Sequence, residues 1–408
     1  MRTSHIAVRR MIQDEKKKLT DAQVFGSSQF AAYLTDIAEG ITKRYKRKSR
    51  VRLLWDESHD TEIGHTDDRT ITVNAANYLT ASFPTKALKA DSLLGIVGHE
   101  CGHILYTDFT MLQTYFQSLS GGMFYPHEPE ELSRTQDVSL KEIQSAFEEK
   151  DEAVVNAIAS ISHSLANIME DIYIEARMCD AFPGAVKDGI CLNSLRMADL
   201  MPTITEEIRN NYHEVFIIIN LLLQYARTGD ISNPEGYKGP YLDTLYQCVP
   251  FVDNAAYDDD AKVRFDAVNQ ILLYLWPYMK SYIEKVREDL KNKTSNAQAE
   301  MAEQLGGGIP LPTGGGKPAP GTGKFRHSSS SEDDDRTRIQ EALDYEDGRI
   351  ALESTDELKE DGDGGITRVN DYAGAGYVSK AAADMDHIMT KMAEDAAYIR
   401  YDEELTEE

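Results

Sequence analysis

The run Leu93-Leu94-Gly95-Ile96-Val97-Gly98-His99-Glu100-Cys101-Gly102-His103-Ile104-Leu105 constrains this chain more than any other stretch. It places H-E-x-x-H inside an apolar segment. On a helix, residues four apart lie above one another on one face. His99 and His103 can therefore offer imidazole nitrogens to one zinc ion, at about 2.0–2.1 Å each. Glu100, next around the helix, is placed to act as general base on a water beside the metal. Gly102 leaves room there for another chain segment or a substrate. The competing reading is a pair of core histidines. Two imidazoles and a carboxylate on a buried helix need compensation, because burying unpaired polar groups costs free energy. The helix is expected from about Ala90 to Thr107, capped by Asp91 or Ser92.

A net charge of −26 argues against a nucleic-acid-binding surface. The basic run Lys43 to Arg50 opposes that trend and reads as a solvated helix end. The first residues lack the apolar core of a signal peptide. The longest apolar stretch, Val215 to Leu223, is too short to span a bilayer. The four cysteines (Cys101, Cys179, Cys191, Cys248) form no C-x-x-C pair. A cytoplasmic protein with no membrane partner is expected.

Residues 1–50 form an N-terminal helical segment, two helices broken near Gly26-Ser27-Ser28. Val51 to Trp55 and Thr70 to Asn74 read as strands separated by a polar turn, Asp56 to Asp68. The expected fold class is α+β, predominantly α-helical, with a small antiparallel sheet before the H-E-x-x-H helix. One long helix is expected from about Ser139 to Cys179, on which Ile158, Ile161, Leu165, Ile168 and Ile172 make an apolar stripe. Further helices are expected over 203–228 and 261–291, closing a domain at residues 51–291. Residues 292–335, rich in Gly, Pro and Ser, read as a flexible linker. An acidic helical tail follows, 336–408. Gly321 to Phe325 misses the glycine spacing of a phosphate loop. Asp361 to Gly365 lacks the closing Glu of a calcium loop.

A catalytic zinc takes three protein ligands. The third is expected from the segment Leu165 to Arg177, because acids among Ile, Met and Tyr need a partner or a metal. Glu170 projects away from the apolar stripe and is the first choice as ligand. Asn167, Asp171 and Glu175 are then expected to orient the histidine rings. Asp171 as ligand with Glu175 behind it is the close alternative. His163, on the side of Asn167 and Glu170, reads as a polar-face histidine. Tyr106, Tyr173, Tyr212 and His213 are oxyanion-donor candidates.

The H-E-C-G-H segment followed by Tyr106-Thr107-Asp108-Phe109, with Asn167-x-x-Glu170-Asp171-x-x-x-Glu175-x-Arg177 downstream, resembles one group. It is the metallopeptidases that accompany von Willebrand factor A domains, including cobaltochelatase T-subunit-like proteins. The resemblance covers about residues 50–290. It implies a zincin-like, gluzincin-type core with His99, His103 and Glu170 as zinc ligands and Glu100 as base. It also implies an AAA+ ATPase partner. No D-x-S-x-S motif follows the linker, so the von Willebrand domain is missing from the pattern. The expected function is a zinc metallopeptidase acting on a protein or peptide substrate. The alternative is a non-catalytic, zinc-stabilised interaction or assembly protein of a phage or mobile element. In a further variant the tail covers the cleft until removed.

Overall fold

The computed structural model describes residues 5–43, 49–67, 70–291 and 381–407. The linker at 292–335, the segments 321–325 and 361–365, most of the basic run and the start of the tail lie outside the described residues. The chain is predominantly helical with one small sheet.

Three helices open it: α1 (His5–Lys18), α2 (Asp21–Phe25) and α3 (Ser28–Lys43). Thr20 starts α2 with a reciprocal cap, its hydroxyl accepting from Gln23 N–H and Gln23 accepting from Thr20 N–H. Strands β1 (Arg50–Leu54), β2 (Gly64–Asp67) and β3 (Thr70–Asn74) form a sheet of order β1-β3-β2. The two expected strands are present, but they pair in parallel, Val51 opposite Ile71. The sheet is therefore mixed and not antiparallel. Parallel neighbours need a crossover of about a dozen residues or more, and the segment between β1 and β3 supplies it. The end of that segment, read as a polar turn, becomes the antiparallel edge strand β2.

After α4 (Tyr78–Ala81) comes the H-E-x-x-H helix, α5 (Lys86–Tyr106). It starts a turn before the expected position because the Thr85 hydroxyl, following Pro84, caps Leu88 N–H. Asp91 and Ser92, expected as caps, are buried inside the helix. Next come α6 (Phe109–Ser120), α7 (Arg134–Glu148), α8 (Glu152–Ala181), α9 (Ala185–Leu200), α10 (Ile204–Arg209), α11 (Glu214–Thr228), α12 (Pro240–Ala255), α13 (Ala261–Lys291) and α14 (Ala382–Glu407). The single helix expected over 139–179 is two. Lys150 takes a left-handed conformation (φ 55°), and the Asp151 carboxylate caps Ala153 and Val154 to restart the chain as α8.

Among the described residues, beside two small clusters, two large hydrophobic cores form. One is built from α6 to α8 and α10 to α13 and contains the whole predicted stripe, Ile158 to Ile172. The other joins α2, α3, the sheet, α5, the start of α9 and α14. Between α5 and α9 the helices touch backbone to backbone. A Cβ added at Gly95 would lie 2.3 Å from the Gly189 carbonyl carbon, and one at Gly189 would lie 2.5 Å from the Asp91 oxygen. On α5, Gly102 faces Ile174 and Met178 of α8. The room it leaves is taken by that helix, which brings α8 alongside the histidines. Among the described residues no helix is long and apolar enough to cross a membrane.

Candidate metal centre

The site forms where the two cores meet, between α5 and α8. His99 pairs with Glu175 and His103 with Asp171, so the helices pass with opposite directions at this point. The His99 and His103 Nε2 atoms lie 3.1 Å apart. Asp171 Oδ1 is 3.4 Å from His103 Nε2 and 3.7 Å from His99 Nε2. Ligand atoms arranged tetrahedrally about zinc lie about 3.3 Å from one another. The triangle fits that spacing.

Among the described residues, His99, His103 and Asp171 are the one cluster of three metal-ligating side chains. Asp171 Oδ1 is buried with no hydrogen-bond partner, and orphaned buried acceptors are costly. A cation between the three groups would satisfy it. The charge balance also fits. Glu100, Asp171 and Glu175 bring three carboxylates, Arg227 brings one guanidinium, and a divalent ion would neutralise the rest.

Each ring is held from behind. His99 Nδ1–H donates to the Glu175 carboxylate at 2.9 Å, and His103 Nδ1 shares a 3.0 Å hydrogen bond with the Thr107 hydroxyl. With Nδ1 so committed, the Nε2 lone pairs face the common point. Arg227, at the end of α11, donates to Asp171 Oδ2 at 2.7 Å and also to Glu175. Burial works against ionising Asp171, but His99, Arg227 and His103 outweigh it and hold the carboxyl well below its ordinary value. Glu175 is lowered too, Arg227 and His99 overcoming its burial. Burial likewise disfavours charge on His99, yet Asp171 and Glu175 push its pKa up to about 10.

Glu100 is buried, and burial raises its pKa against the pull of both histidines. It faces β2, since a Cβ added at Gly64 would lie 3.3 Å from Glu100 Oε1. His99 keeps about a fifth of its side chain exposed (20%), whereas His103 and Asp171 keep 2% each. The cluster is therefore open on the His99 side.

The structure departs from the first choice of third ligand. Glu170 lies outside the cluster and accepts a 2.8 Å hydrogen bond from Arg264 Nε, with the guanidinium stacked over the Tyr173 ring at 3.8 Å. Asp171 stands in its place. Glu175 Oε1 lies 2.9 Å from His99 Nδ1. Asn167 is buried but bonds to neither histidine among the described residues. One turn before Asp171 on a helix running opposite to α5, it falls level with the end of α5. His163 stacks on Phe116 (ring centroids 3.6 Å) with Nδ1 buried and unpaired.

Of the oxyanion candidates, Tyr173 donates to Asp259, and His213 meets Ser281 at the opposite end of α11 from Arg227. Arg227 and Thr107 were not singled out in sequence. An Arg closing an apolar helix reads as a dipole complement, and nothing local marks it as the partner of two acids on α8. Against family models, curated proteins and solved structures, the chain shows no match.

Proposed function

We propose that this chain is a cytoplasmic zinc-dependent peptidase with a zincin-like core, His99, His103 and Asp171 holding the ion. The observation that carries the reading is the convergence of those three groups on one point with Glu100 buried on the same helix. When bound, the ion would polarise a peptide carbonyl and make a water acidic enough to attack it. Glu100 takes the proton of that water and passes it to the leaving nitrogen. Glu175 and Thr107 fix the two imidazoles, and Arg227 keeps Asp171 and Glu175 ionised.

The sheet edge supports an extended peptide as the substrate class. β2 is an edge strand whose outer side has no strand partner among the described residues, and it lies against Glu100. An extended peptide can add to such an edge by main-chain hydrogen bonds. Three candidate protein ligands and a partly exposed His99 favour a catalytic site over a closed four-ligand structural one.

A peptide-library cleavage assay comparing wild type with Glu100→Gln tests this. Loss of the general base should lower turnover by roughly 10²–10⁴-fold, with zinc retained. Equal cleavage by both proteins, or no cleavage by a zinc-loaded wild type, favours the interaction-protein alternative.

A further inference from the structure

Four lysines gather at one corner of a chain whose net charge is −26. Lys16 and Lys17 close α1, and Lys86 and Lys89 open α5. Among the described residues, α1, α5 and α14 surround a cavity of about 560 Å³ there. Gln13, Lys16, Lys17, Leu19, Lys86 and Met389 line it. Lys16 donates to Asp386 and, at 3.0 Å, to Thr390 on α14. Lys86 and Lys89 share one carboxylate, Asp21, at 2.9 and 2.7 Å. Lys17 meets no carboxylate among the described residues. Four ammonium groups are thus set against two carboxylates, Asp21 and Asp386.

The lysines at the end of α1 complement the dipole of their helix. Those at the start of α5 oppose theirs. No acid stands in the first turn of α5, so the positive end of the helix adds to the field of Lys86 and Lys89. Lys16 and Lys86 are also partly buried, their side chains 24% and 32% exposed. Burial in the company of like charges costs free energy that an anion in the cavity would recover. Lysine ammonium groups hold phosphate as mobile point charges. Beside them, Leu19 and Met389 offer an apolar wall, and a thioether packs well against a planar ring.

The structure assigns to this cavity a binding site for a small organic polyphosphate of the nucleoside diphosphate kind. Its phosphates lie on Lys16, Lys17 and Lys86, and its planar body lies on Leu19 and Met389. The volume falls within the range of small-ligand pockets, about 300–1,000 Å³. Bound there, the anion ties α1 and α14 to the first turn of α5. That turn is about 20 Å along the helix from His99, at 1.5 Å per residue. The site does not depend on the metal reading, because none of its residues belongs to the cluster of His99, His103 and Asp171.

Isothermal titration of the full chain with ADP, inorganic pyrophosphate and sulfate, without added divalent metal, tests this. ADP and pyrophosphate should each bind once per chain, ADP more tightly, and both should weaken as sodium chloride is raised. Lys17→Glu, which breaks no ion pair among the described residues, should lower both affinities by roughly tenfold or more. Lys86→Gln should act in the same direction, and Leu19→Ala should weaken ADP alone. Amide exchange in α14 should slow when ADP binds wild type and stay unchanged in Lys17→Glu. The proposal is overturned if neither phosphate compound binds, or if binding survives both lysine changes and so belongs elsewhere. Sulfate binding as tightly as pyrophosphate would make the cavity a site for an adventitious ion only. ADP and pyrophosphate of equal affinity, both indifferent to Leu19→Ala, would overturn the organic ligand.

Discussion

Asp171 and Glu170 are neighbours on one helix with opposite fates, one facing two histidines and the other Arg264. Sequence periodicity located the pair but could not separate them. It assumes that the face opposite the apolar stripe is the polar one, yet α8 is buried on every side from Ser160 to Ile174. Which acid meets the two histidines is set by how α5 and α11 lie against α8, and the periodicity of α8 carries no record of that. His99, Glu100 and His103 were legible because all three come from a single helical turn. His163 is the other instructive residue. Its burial against Phe116 depresses its pKa from 6.5 to about 3. Between those values the unfolded chain binds a proton that the folded chain refuses, so stability is full above pH 6.5 and falls as the pH drops. At pH 5 this one group should cost about 2 kcal/mol relative to neutral pH. Urea unfolding of wild type and His163→Phe at pH 7.5 and pH 5 measures it, with the variant losing correspondingly less. Equal losses would remove His163 from the account.

Among the elements, the contact of α5 with α9 is the tightest constraint. It depends on Gly95 and Gly189, where a side chain would collide with backbone that cannot swing aside. Gly189→Ala should destabilise by about 1–3 kcal/mol through overpacking. Gly40, exposed on α3 with open space around its Cα, is the matched control. Gly40→Ala should stabilise by up to about 1 kcal/mol, and chemical denaturation reads both. Neither glycine could be ranked in advance, since a close helix approach is written in two segments nearly a hundred residues apart. The strand β2 was missed for a related reason. Gly64 to Asp67 has almost no apolar content, and it becomes a strand only because β3 offers an edge. The break at Lys150–Asp151 was readable, since an Asp before Glu152-Ala153-Val154 is a cap signal. The continuing apolar rhythm on either side obscured it.

At the scale of the whole molecule, the chain closes on itself through α14. Ala381 N–H donates to the buried Asp91 carboxylate at 2.8 Å, and Met385, Ile388 and Met389 enter the core that holds α5. The helix packs on α1, α3 and α5 near Asp91, eight residues before His99. The described part of the tail therefore braces the H-E-x-x-H helix from its far half and does not lie over the cluster. Ile388→Ala should cost about 2 kcal/mol or more of global stability by the core-truncation rule, read from its denaturation midpoint. A surface-like loss below half a kcal/mol would show that α14 contributes nothing to the core. The two-core arrangement also explains the position of the site. Histidines from one core and carboxylates from the other meet at the seam, where a metal can join them.

The most direct test of the account is metal content by elemental analysis on wild type, Asp171→Ala and Glu170→Ala, purified without chelator and confirmed folded by circular dichroism. Wild type and Glu170→Ala should each carry about one zinc per chain, while Asp171→Ala should lose most of it. Retention by Asp171→Ala with loss from Glu170→Ala would make Glu170 the ligand and overturn the site described here. A wild type without zinc or any other transition metal would return His99 and His103 to the role of buried structural histidines.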